Sequence, residues 1–152
     1  MTERAMFKGV VNMIIRDGDK ILLFLRNDGF FNYNGGYWVI PAGHIEAHET
    51  AKSAAIREAK EELGIDIDPA DIEFAHVISN LASRTECFDF FFIVNKYTGT
   101  IRNCEGDKCA EMHWFTMDEI RALPQVVSTT RIALDGIARG EKYSECLNYS
   151  GK

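Results

Sequence analysis

Proline is scarce in this chain, at three of 152 positions, and no Pro/Ser-rich stretch, low-complexity tract or internal repeat interrupts it. Nothing therefore marks a linker, and residues 1–152 read as one domain, long enough to bury a real core. Long apolar runs are missing too. Stretches such as Phe90 to Val94 fall far short of the ~20 residues needed to cross a bilayer. The opening Met1-Thr2-Glu3-Arg4-Ala5-Met6 holds an acid and no apolar run, so no secretory signal is expected. Positive charge is in deficit, with 17 Lys+Arg against 23 Asp+Glu, a net charge of −6 and a pI near 5.2. Without a basic footprint a chain displaces few counterions from a polyphosphate backbone, which counts against nucleic acid as a partner. A small anionic substrate stays open if a divalent metal supplies positive charge locally. Cysteine is limited to Cys87, Cys104, Cys109 and Cys146, expected to be thiols in a cytoplasmic protein. Cys104 and Cys109 have no second ligand pair after them, so they read as two idle thiols rather than a zinc site.

What is present is ordinary for a folded protein: 46% hydrophobic and 26% charged residues. Val10 to Ile15 reads as a strand that turns at Asp17-Gly18-Asp19 into a second apolar run, Ile21 to Leu25. A Gly/Asn/aromatic loop follows from Asn27 to Tyr37, and Trp38-Val39-Ile40 reads as a short strand ending at Pro41. Thr50 to Leu63 is the clearest helix, with Thr50 as its cap and Gly64 where a C-terminal glycine belongs. Phe74 to Ser79, Cys87 to Val94 and Met112 to Phe115 read as strands. Met117 to Leu123 and Val127 to Arg139 read as helices, with Gly140 as a stop. Strands before and after a central helix predict an α/β class with a mixed sheet.

The central helix carries an unusual charge pattern. With Glu58 set at zero on a wheel of about 100° per residue, Glu62 lies near 40° and Glu61 near −60°, beside the apolar stripe of Ala55, Ala59, Leu63 and Ile56. A solvated acidic face is one reading. Against it, like charges at i,i+3 and i,i+4 each cost a helix about 0.2–0.5 kcal/mol, and the helix dipole disfavours anions near its C-terminal end. A hard divalent cation would turn both penalties into a binding site, and an all-oxygen ligand set points to Mg²⁺ or Mn²⁺. Just upstream, Gly43 offers bare backbone that could approach a metal or a phosphate.

Gly43 to Ile65 reads GHIEAHETAKSAAIREAKEELGI. It fits the pattern G-x5-E-x7-R-E-U-x-E-E-x-G-U, where U is apolar, at every fixed position: Gly43, Glu49, Arg57, Glu58, Glu61, Glu62 and Gly64, with Ala59 and Ile65 at the apolar ones. From average residue frequencies such a match arises by chance on the order of once in ten million chains of this length. In this the sequence resembles the Nudix hydrolases, and in size and plainness their small MutT-like bacterial type. The resemblance implies an α/β/α sandwich around a mixed sheet. It also implies Mg²⁺- or Mn²⁺-dependent cleavage of a nucleoside diphosphate linked to another group, by attack of water on phosphorus.

Carried over residue by residue, the resemblance makes Glu58, Glu61 and Glu62 metal ligands, with the Gly43 carbonyl a further one. Glu58 is also the residue assigned to deprotonate water, although members differ on this. Arg57 orients the carboxylates and Glu49 is its partner; an i,i+4 ion pair between Arg57 and Glu61 is a second reading of that arginine. A further metal ligand or base from outside the box is expected at Glu111, or failing that at Glu105. Each of these two acids can equally be a plain surface group.

Substrate choice is less defined. The stretch from Ser79 to Ser83 lacks the proline that marks ADP-ribose-cleaving members and the tyrosine that marks diadenosine-polyphosphate cleavers, which leaves nucleoside triphosphates, intact or modified, as the first expectation. Removal of pyrophosphate from an RNA 5′ end, a dinucleotide or nucleotide-sugar substrate, and a non-catalytic nucleotide-binding module are the alternatives. Phe30, Phe31, Tyr33, Tyr37 and Trp38 could stack on a base or simply pack within their loop. Arg26, Arg84, Lys108 and His44 could meet phosphates or stand solvated.

Overall fold

The computed structural model describes residues 2–30, 34–82 and 86–147. Eight strands and three α-helices follow in the order β1 (Lys8–Asp17), β2 (Lys20–Arg26), β3 (Tyr37–Val39), β4 (Ala42–His44), α1 (Ala51–Leu63), β5 (Ile72–Asn80), β6 (Cys87–Val94), β7 (Cys109–Thr116), α2 (Met117–Ala122), α3 (Ser128–Ala138) and β8 (Tyr143–Cys146). The strands pair in the order β3-β2-β1-β6-β5-β8, with β4 added to β1 and β7 to β2. β1 and β6 run parallel, as do β5 and β8, and the other pairs are antiparallel, so the sheet is mixed as expected.

Two-residue alternation decides what each face buries. Val11, Met13 and Ile15 of β1, with Leu22 and Phe24 of β2 and Phe92 and Val94 of β6, pack on one side against Ala54, Ala55, Ala59 and Leu63 of α1. Ile14, Leu23, Phe91 and Ile93 point the other way and meet Ala133 and Leu134 of α3. One apolar strand thus feeds two cores, which is why these runs look nearly continuous in sequence. The result is an α/β/α sandwich. No helix among the described residues is long and apolar enough to cross a membrane.

Local chemistry sets the helix ends. Thr50 accepts from the Ser53 N–H at 3.1 Å, and Gly64 closes α1 at φ 70°, donating to the Lys60 carbonyl. Thr116 and Glu119 form a reciprocal capping box on α2. Two strands are absent from the expected list. β4 is three residues, Ala-Gly-His, held by its pairing with β1 (Val11 opposite Gly43). β8 is a charged edge strand held by its parallel register with β5 (Ile78 opposite Ser144). All four cysteines are thiols. Burial pushes the Cys109 thiol up to about 11, which keeps it unreactive at neutral pH.

Candidate active site

A cleft of about 640 Å³ opens where α1, β4 and the ends of β1 and β2 meet. It brings together, from the expected residues, Gly43, His44, Glu58, Glu61, Glu62, Glu105, Lys108, Arg26 and Tyr37. Glu111 is not there. It lies on β7 beside His113, whose Nε2 is 3.0 Å from its carboxylate, and both side chains are exposed. Glu105 is the acid that reaches the cleft, because residues after β6 fold back over the C-terminal end of α1. Arg102 N–H donates to the Leu63 carbonyl and Cys104 N–H to the Glu62 carbonyl, each at 2.9 Å. These bonds satisfy helix-end carbonyls and set Glu105 against Glu62. Of the aromatic loop, Phe31 and Tyr33 lie outside the described residues, as does Arg84. Trp38 turns away and meets Phe115 edge-on at 5.0 Å, whereas Phe30 and Tyr37 line the cleft.

Arg57 organises the acids. Its Nε and Nη2 form a paired contact with Glu49 at 2.7 and 2.9 Å. Nη1 donates to Glu58 at 2.9 Å and to Glu61 at 3.2 Å, and Nη2 also reaches the His44 carbonyl at 3.0 Å. The guanidinium fork suits this task, because five fixed donors can serve several carboxylates and a backbone carbonyl together. Its hydrogen bonds hold the Glu49 carboxyl down to about 2. Between these partners the loop turns sharply, with His48 at φ 63° and the Glu46 N–H donating to Glu49. Arg57 therefore ties loop to helix, and its i,i+4 pair with Glu61 forms at the same time.

Glu58 and Glu62 sit deeper. Burial raises the Glu58 carboxyl above its usual range, against the opposing pull of Arg57. Glu62 is only 5% exposed, and burial together with its hydrogen-bonded neighbour Glu105 pushes it up to about 10. Its Oε2 has no hydrogen-bond partner. An orphaned buried carboxylate oxygen costs about 1–3 kcal/mol or more. Gly43 packs against the Glu58 carboxyl group so closely that a Cβ there would overlap it.

The donor set fits a hard divalent cation: oxygen ligands from Glu58, Glu61 and Glu62 around an orphaned oxygen, next to a side-chain-free backbone. As placed, no three acidic, His or Cys side chains among the described residues close on one point, and Glu58 and Glu61 are both drawn to Arg57.

The raised Glu62 carboxyl gives a stability prediction. A Glu62 held near 10 when folded, against about 4.5 when unfolded, binds more protons folded, so the metal-free protein should lose stability as pH rises from 4.5 toward 10. Glu62→Gln removes the ionisable group. At pH 8 without metal its melting temperature should exceed wild type by about 3–6 °C, from a gain of about 1–2 kcal/mol. The rise in melting temperature that Mg²⁺ or Mn²⁺ gives wild type should shrink in the variant. Scanning calorimetry at pH 5 and pH 8, with and without metal, checks both; a variant less stable at pH 8 would contradict it.

A mixed sheet between two helical layers sets a glutamate-rich helix against a cleft. Residues 6–135 match the model of the NUDIX domain, and the chain belongs to the Nudix family of hydrolases. It is 28% identical over 135 residues to the uncharacterized Nudix hydrolase YvcI of Bacillus subtilis, covering 87% of this chain and 80% of that protein. A protein of Mycobacterium tuberculosis named putative 8-oxo-dGTP diphosphatase 3 is 26% identical over 124 residues, and the match spans 55% of its length. The MutT NUDIX hydrolase structure from Burkholderia pseudomallei superimposes with a TM-score of 0.73 at 26% identity, over 86% of this chain and 97% of that one.

Several cleft residues were not among those expected at the site. Asp28 takes Arg26 Nε at 3.1 Å and the Tyr37 hydroxyl at 2.7 Å. Asn12, Asn80 and Asp89 come from three separate strands.

Proposed function

We propose that this protein is a cytoplasmic Mg²⁺- or Mn²⁺-dependent pyrophosphohydrolase acting on small nucleotides, with nucleoside triphosphates, intact or oxidised at the base, as its first substrate class. The observation that carries this reading is the orphaned, buried Glu62 oxygen beside Glu58 and Gly43 at one end of a nucleotide-sized cleft. The mycobacterial relative's name, putative 8-oxo-dGTP diphosphatase 3, supports the substrate class.

In this reading Glu58, Glu61, Glu62 and the Gly43 carbonyl would hold the cation, which lowers the pKa of bound water and neutralises phosphate charge. Glu58 accepts the proton of the attacking water. Arg57 positions Glu58 and Glu61, and Glu49 positions Arg57. Glu105 is the further acid, able to hold a proton or complete the cation's shell. Arg26 and Lys108, which line the same cleft, offer positive charge to the departing phosphates.

The test is release of phosphate and pyrophosphate from canonical and oxidised nucleoside triphosphates, ADP-ribose, NADH, diadenosine polyphosphates, nucleotide sugars and 5′-triphosphorylated RNA, with Mg²⁺ and with Mn²⁺. Turnover that needs the metal and favours a triphosphate is expected. Turnover confined to ADP-ribose or RNA would overturn the substrate class. Tight nucleotide binding with no turnover would overturn the enzyme.

A further inference from the structure

The cleft continues past Gly43 to the opposite face of the sheet, where Asn12, Asn80 and Asp89 line it. Alternation accounts for the shared face: Ile14, Ile78 and Phe91, each two residues away from one of them, all belong to the α3-side core. The register sets Asp89 opposite Ile78 on one side and Val10 on the other, and Val10 lies opposite His44. Asp89 is therefore two strand spacings, about 10 Å, from the β4 segment beside the carboxylates.

Asp89 is 7% exposed, its hydrogen-bond donors Asn80 and Cys87 are neutral groups, and His44 acts on it through its charge. Asn80 Nδ2 donates to its Oδ2 at 2.8 Å and the Cys87 thiol to the same oxygen at 3.6 Å, while the neighbouring Asn12 Nδ2 donates to the Phe90 carbonyl at 3.3 Å. Burial still raises its carboxyl above the usual range. A carboxylate has about four lone-pair sites, and the two donors both meet Oδ2, so Oδ1 keeps acceptor capacity for a ligand in the cleft. Around it Val10, Ile40 and Val127 supply apolar wall, with Lys8 and Thr129 in the same lining. A phosphate placed here would meet the Asp89 acid, although Lys8 of β1, two residues before Val10 on the same face, lines the same cleft. A flat heterocycle would instead meet apolar faces and one acceptor.

We propose that Asp89 is a specificity residue that accepts a hydrogen bond from an exocyclic amino group of the substrate's base, with the phosphates at the Glu58–Glu62 end of the cleft. This rests on the nucleotide reading above. A site built to pair with an N–H rejects the analogue lacking it far more strongly than an apolar pocket rejects a missing methylene.

Equilibrium binding of nucleoside monophosphates to the full chain, by calorimetry and without metal, tests this apart from catalysis. GMP against IMP and AMP against purine riboside monophosphate each differ by one amino group, and CMP against UMP exchanges an amino group for a carbonyl. In wild type at least one amino-bearing partner should bind tenfold or more tightly. Asp89→Leu should bring that ratio within about threefold. Asp89→Asn, whose amide oxygen can still accept, should keep part of it. Ratios within threefold for every wild-type pair, no monophosphate binding, or an unchanged ratio in folded Asp89→Leu would overturn the proposal. If Asp89→Leu does not fold, the wild-type ratios and Asp89→Asn decide. Absence of triphosphate turnover would instead count against the proposed function, leaving these ratios to judge Asp89.

Discussion

Glu58→Gln is expected to lower kcat on the best triphosphate about a thousandfold, within the range ascribed to a positioned general base, with the circular dichroism spectrum retained. Glutamine keeps the shape of the side chain, and its amide oxygen can still accept from Arg57 Nη1, now at 2.9 Å from Glu58. What it cannot do is take a proton from water or bring a negative charge to a cation. The effect should fall on kcat, with KM changed less than tenfold. If kcat is unchanged, Glu58 is neither base nor essential ligand, and Glu105, which faces Glu62 in the same cleft, becomes the acid to test. A loss in KM alone would place Glu58 in ground-state binding.

The parts of this fold that are local in sequence were legible there. Thr50 and Gly64 bracket α1, and the seven fixed residues from Gly43 to Gly64 form one short motif, so the cleft's acidic end follows from contiguous chain. The opposite wall depends on pairing register. Asn12, Asn80 and Asp89 look like ordinary polar residues of three strands, and only the parallel pairing of β1 with β6 and the antiparallel pairing of β5 with β6 put them side by side. Glu111 and Glu105 illustrate the same limit. Closeness to a strand favoured Glu111, but the register shift between Leu25 and Arg26 leaves it on the outer side with His113. Glu105 reaches the cleft through two backbone bonds to the end of α1, which no side-chain pattern announces. Strands β4 and β8 escaped for a related reason: Ala-Gly-His and Tyr-Ser-Glu-Cys have little strand character, and partner strands impose it.

Gly43→Ala should cost about a hundredfold or more in kcat/KM, although alanine adds only one methyl. An ideal Cβ at position 43 overlaps Cδ, Cγ and Oε1 of Glu58. The conflict cannot be relieved by moving the helix, since Ala54, Ala55, Ala59 and Leu63 are fully packed against the sheet, and β4 is pinned to β1 by its register. The Glu58 carboxylate must rotate out, breaking its bond to Arg57 and leaving the cation-binding end of the cleft. Overpacking of this kind costs about 1–3 kcal/mol, and a shift of about 1 Å in a catalytic group already costs about a hundredfold in rate. A double-mutant cycle isolates the cause. On a Glu58→Ala background the obstructing carboxyl is gone, so adding Gly43→Ala should change stability by less than about 0.5 kcal/mol, against about 1–3 kcal/mol in the parent chain. The coupling would then be most of the single-mutant cost, read from denaturant melts of the four proteins. Equal costs on both backgrounds would mean that the glycine serves the β4 backbone and not the space for Glu58.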